Sequence, residues 1–111
     1  MIYEVREYVA MPGRLPALIS RFNEHTFRLF EKHEMELVQI GVTTIGENSF
    51  NEVVYTMRFA GLAEMEHKWA QFMGDPEWTT VFAESEADGP LVKSMRRRVL
   101  DGSSFDEQAT P

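Results

Sequence analysis

Apolar residues recur along this chain at two intervals, and the order in which the interval switches leaves few folds open. Over residues 2–10 (Ile-Tyr-Glu-Val-Arg-Glu-Tyr-Val-Ala) the side chains alternate in character, as in a strand with two unlike faces. Met11-Pro12-Gly13 stops that pattern, and Pro16 suits the first turn of a helix. Leu15, Leu18, Ile19, Phe22, Thr26, Leu29, Phe30 and His33 then form one stripe at helical spacing, with Arg14, Arg21, Glu24, Arg28 and Glu31 opposite. Residues 35–45 and 52–59 are β-branched and read as strands joined by the turn-rich segment 46–51. A second helix carries Leu62, Met65, Trp69, Phe72 and Met73 and ends at Gly74. Asp75-Pro76 opens a third, short helix, Gly89-Pro90 closes it, and residues 91–100 form the last strand.

The order β-α-β-β-α-α-β predicts an α+β, ferredoxin-like split βαβ domain with an antiparallel four-stranded sheet and its helices on one face. Residues 1–100 form this single domain, and 101–111 are a polar tail with Phe105 as its one apolar anchor. The other sheet face is left bare. It would carry Val38 or Leu37, Ile40 or Gln39, and Val54 or Tyr55, depending on register. Packing two copies bare face to bare face hides it and gives an isologous homodimer with a barrel-like interior.

Charge and composition narrow the functions open to such a domain. With 18 acidic and 11 basic residues the net charge is -7, against sequence-independent binding of nucleic acid or an anionic membrane surface. Arg96-Arg97-Arg98 falls in a strand, where successive side chains alternate between faces, and so makes a poor phosphate patch. The absence of cysteine rules out disulfides, thiolate metal sites and cysteine nucleophiles. No apolar run is long enough to span a bilayer and no signal-peptide pattern opens the chain, so a cytoplasmic location is the default expectation.

Glu4, Arg6 and Tyr8 share one face of the first strand, while Tyr3, Val5 and Val9 point the other way. An acid, a base and a phenol in one row satisfy each other as an ion pair with a hydroxyl cap. They can also orient a ligand, with Arg6 on a carboxylate or enolate oxygen and Tyr8 donating a hydrogen bond. Gln39, Thr43 and Tyr55 on neighbouring strands would complete such a pocket in the barrel interior. On this reading Arg6→Met removes ligand binding and leaves the fold intact. Trp69, Phe72, Trp78 and Phe82 read as core at helical spacing, with Trp78 placed to line the mouth of a cavity; the methionines would make that cavity adaptable. His25, His33 and His67 show no metal-ligand spacing, and neither a nucleophile elbow nor a phosphate loop is present.

Met-Ile-Tyr-Glu-Val-Arg-Glu-Tyr at 1–8, Pro12-Gly13, Glu31-Lys32-His33, Asn51-Glu52-Val53-Val54-Tyr55 and Asp75-Pro76-Glu77-Trp78 resemble the NIPSNAP family in order and spacing over roughly residues 1–100. The resemblance implies a dimeric α+β barrel and no settled activity. Position 55 is Tyr where many relatives carry His, so a role for an imidazole there does not carry over. Related barrels include cofactor-free monooxygenases, haem enzymes and simple binding proteins. The expectation is a homodimer binding a small organic ligand, with no cofactor called for and haem left open. Its chemistry would be monooxygenase- or isomerase-like. The alternative is a non-catalytic interaction or structural protein whose barrel interior is only dimer core.

Overall fold

In the computed structural model, which describes residues 1–106, four strands form one antiparallel sheet in the order β2-β3-β1-β4. They are β1 (Ile2–Ala10), β2 (Glu36–Val42), β3 (Glu52–Phe59) and β4 (Val92–Asp101). Helices α1 (Leu15–Arg21), α2 (Phe27–Lys32), α3 (Leu62–Met73) and α4 (Pro76–Ser85) complete the domain. This is the expected α+β arrangement, that of the dimeric α+β barrel fold. β4 runs one residue beyond the expected strand, and Phe105 is 70% exposed instead of anchoring the tail. The remainder of the tail, residues 107–111, lies outside the described residues. Among the described residues no helix is long and apolar enough to cross a membrane.

The first helical rod is two α-helices joined by a π-helical turn, Phe22–Thr26. The Phe27 N–H donates to the Phe22 carbonyl, five residues back, and Thr26 Oγ1 donates to the Arg21 carbonyl at 3.3 Å. This wider turn carries one extra residue and places both Phe22 and Thr26 against the core. The rod then ends in a left-handed turn. Glu34 has φ 53°, the Met35 N–H donates to the Phe30 carbonyl at 2.8 Å, and buried Met35 closes over the helix end.

The apolar layer under the helices is formed by Leu18, Leu29 and Phe30 from the rod and Val53, Tyr55, Met57 and Phe59 from β3. Each such aliphatic side chain contributes about 1.5–3 kcal/mol on leaving water. The pairing of β2 with β3 resolves the register. Leu37 faces Met57 and Ile40 faces Tyr55, so both belong to the helix side, while Gln39 pairs with Thr56 on the open side. Two residues three apart share a face because the register shifts by one residue between Leu37 and Gln39.

Asp75 ties the rod to the corner between α3 and α4. Its Oδ1 accepts the Glu77 N–H at 2.9 Å, capping α4, and its Oδ2 lies 2.7 Å from both Lys32 Nζ and His33 Nε2. The hydrogen bond from Lys32, then that from His33, hold its carboxyl below the usual aspartate range. A carboxyl whose pKa falls on folding stabilises the fold above its unfolded value, and that contribution disappears as pH drops through the folded one. Asp75→Asn keeps a cap acceptor and removes the charge. Urea melts should therefore find the variant less stable at neutral pH, with the gap closing below the ordinary aspartate pKa; a gap independent of pH would contradict this assignment.

Candidate functional site

The row Glu4, Arg6, Tyr8 faces the helices. Arg6 stacks on Trp69 of α3, its guanidinium carbon 4.3 Å from the ring centroid. Trp69 Nε1 donates to Glu4 Oε1 at 2.6 Å. The expected position, in the space between two paired sheets, is therefore corrected: the polar row lies within a single chain, beneath α3. What allows charge there is mutual satisfaction. Glu4 is fully buried, and Glu4 Oε2 accepts from Arg6 Nη1 at 3.0 Å and from Arg97 Nε on β4 at 2.7 Å. Tyr3, Val5 and Val9 consequently lie on the open face, in a row that also holds Glu7.

Around Arg6 the hydroxyls of Tyr8 and Tyr55 converge. Arg6 Nε donates to Tyr55 Oη at 2.8 Å, Arg6 Nη2 donates to Tyr8 Oη at 3.0 Å, and the two hydroxyls are 2.7 Å apart. Burial, reinforced by the neighbouring Tyr8, pushes the Tyr55 phenol well above its ordinary value, so it stays neutral and can donate. Burial alone would lower the Arg6 pKa; Tyr55, Tyr8 and Glu4 outweigh it and raise it, so this guanidinium is permanently charged.

Above this cluster is a cavity of about 320 Å³. Arg6, Tyr8 and Tyr55 form its floor; Phe22, Phe30, Trp69, Phe72 and Trp78 are among its aromatic walls. The π-turn contributes here directly, since Phe22 and Thr26 both line it. The wall rings pack on one another, Phe72 to Trp78 at 5.0 Å and Phe30 to Trp69 at 6.0 Å edge-on. No histidine is in the lining, and among the described residues no group of three or more His, Cys, Asp or Glu is gathered to hold a metal ion.

Of the residues singled out from sequence, Arg6, Tyr8, Tyr55 and Trp78 meet at this cavity, with Glu4 buried directly behind Arg6. Gln39 and Thr43 do not. They border a shallow depression on the open face with Val54 and Thr56, and Thr43 Oγ1 donates to Glu52 at 2.7 Å. Sequence reasoning missed Arg21, placed on the solvent side of its helix but only 6% exposed. Its guanidinium carbon lies 5.4 Å from the ring centroids of both Trp78 and Phe82, and Nη1 reaches Ser85 Oγ at 3.2 Å and Glu86 Oε2 at 3.5 Å. Burial lowers its pKa, opposed by Glu86. Arg97 was likewise passed over as one member of a basic run, although alternation sends it to the helix side while Arg98 pairs with Glu7 on the other.

The sequence pattern of NIPSNAP matches residues 3–105. The chain belongs to the NIPSNAP family. Solved NIPSNAP structures superimpose over nearly the whole domain. The Agrobacterium tumefaciens protein Atu4242 is 25% identical, covering 96% of this chain and 98% of its own, with a TM-score of 0.81. A second A. tumefaciens NIPSNAP protein, Atu5224, is 20% identical over 96% of each chain, with a TM-score of 0.82. An uncharacterized NIPSNAP domain protein from Burkholderia xenovorans is 16% identical over 96% and 98%, with a TM-score of 0.81. No curated protein matches this NIPSNAP sequence.

Proposed function

We propose that this NIPSNAP domain binds a small, mainly aromatic organic molecule between its sheet and its helices, and that it acts as a homodimer joined through the open sheet face. The observation that carries the ligand reading is the cavity itself. Its volume of about 320 Å³ lies at the lower end of the range for small-molecule sites, and its mainly apolar walls carry polar groups at two places, Arg6 with Tyr8 and Tyr55 on the floor and Arg21 with Glu86 on the helix side. Arg6, Tyr8 and Tyr55 there offer a fixed cation and neutral donors to a developing oxyanion. That favours oxygenation or isomerisation of an activated small molecule, should the bound compound react. The dimer reading is supported by Leu100 of β4, on the open face opposite Tyr3 and 49% exposed, whereas Tyr3 and Val5 are already buried within the single chain.

Both tryptophans of the chain line the cavity, so their emission reports its occupation. Titration with a panel of small aromatic acids, phenols and quinones, and with haem, should give saturable quenching together with a rise in Tm for at least one class. A panel that leaves both signals unchanged counts against the reading. Sedimentation equilibrium at micromolar concentration should return twice 12.8 kDa, and a single-chain mass would remove the dimer.

A further inference from the structure

Arg6 and Arg97 stand directly opposite each other on the paired strands β1 and β4. Like charges in that position repel unless an anion lies between them. Glu4 supplies that anion, but with one oxygen for both arginines, since its other oxygen accepts from Trp69. The three charges leave a surplus of one positive charge, in a chain whose net charge is -7. The guanidinium of Arg6 also retains a hydrogen on each terminal nitrogen that no described residue accepts, and the outer end of Arg97 makes only a 3.6 Å contact with the Met65 sulfur. Glu66 is near but exposed on α3, and makes no ion pair with either arginine.

This cluster lies where two concavities meet. A groove of about 530 Å³ between α3 and β4 is lined by Arg97 and shares Arg6, Trp69, Met73 and Met95 with the aromatic cavity. Met73 and Met95, 60% and 46% exposed, form a deformable rim between them. The geometry points to an aromatic carboxylate as the ligand class, its ring in the cavity and its carboxylate at the junction between Arg6 and Arg97. This rests on the cavity reading above and adds the charge and orientation of the ligand. The carboxylate would take the donor hydrogens that Glu4 cannot reach and neutralise the surplus charge, as charge-assisted bonds to planar guanidinium groups do.

The test compares two probes of one shape, 2-naphthoate and 2-naphthalenemethanol, by calorimetric titration of the full chain at pH 7. The acid should bind about tenfold tighter or more than the alcohol. Arg97→Gln, at a half-exposed position, should bring the acid down toward the alcohol and leave the alcohol's affinity unchanged, with a thermal melt confirming the fold. An alcohol that binds as tightly as the acid overturns the anion assignment while leaving the cavity reading standing, and needs no variant. An acid preference that survives Arg97→Gln overturns the role given to the arginine pair. Failure of both probes to bind the folded protein overturns the cavity reading as well.

Discussion

Arg6→Met is expected to destabilise the fold by about 3–5 kcal/mol, because it removes a partner from a buried carboxylate and leaves that charge poorly compensated. This differs from the sequence reading, in which the same change spared the fold. Glu4 is fully buried and has three donors; losing Arg6 leaves it with Arg97, itself partly in solvent, and the Trp69 N–H. Tyr8 and Tyr55 lose their common donor in the same step. Adding Glu4→Gln removes the orphaned charge, so the double variant should be more stable than the sum of the two single losses implies. Urea unfolding of all four proteins measures this. A cost below about 1 kcal/mol for Arg6→Met would contradict the role given to the Arg6–Glu4 pair.

Phe72→Ala should cost a similar amount, about 3–5 kcal/mol, for a different reason. Phe72 is 2% exposed and touches four rings, Phe30, His33, Trp69 and Trp78, at centroid distances of 5.0–6.0 Å. It joins α3 to the rod and to α4, so its loss opens a void between three elements already bordering a cavity. The neighbouring Met73, 60% exposed, provides the control; Met73→Ala should stay within about 0.5 kcal/mol of the parent protein. Equal effects at the two positions would show that the aromatic layer is too loosely packed to register a missing ring.

The elements themselves were legible because each carries its own signal. The Asp75-Pro76 pair marked the start of α4, and residues 52–59 coincide with β3. The faces were harder. For β1, alternation separates two rows without saying which goes inside, and apolarity favours the wrong one. Glu4 is buried, and Arg6 and Tyr8 half-buried, on the helix side because Trp69, Arg97 and Tyr55, all distant in sequence, supply hydrogen-bond partners there. Register in β2 was hidden by one extra residue, since a strict two-residue period cannot place Leu37 and Ile40 on the same side. Arg21 was misplaced because a helical stripe assumes one covered flank, whereas α4 lies along a second and stacks Trp78 and Phe82 on it. Two of the four cavity residues foreseen in the sequence, Arg6 and Tyr8, thus came from strand alternation, the face of Tyr55 hung on an unresolved register, and the cation on the opposite wall required knowledge of helix packing.

The five-residue loop of backbone at Phe22–Thr26 makes this rod tolerant of a one-residue change in length in a way an ordinary surface helix is not. Removing a residue from regular helix turns everything downstream by about 100°, whereas excising the extra residue of this wide turn restores uniform winding and leaves the later residues on their present side. Leu29 and Phe30 would stay over the sheet, and the change would be confined to the wall that Phe22 and Thr26 give the cavity. Relatives that differ in chain length are therefore expected to gain or lose residues at the tip between β2 and β3, or a single residue within this turn.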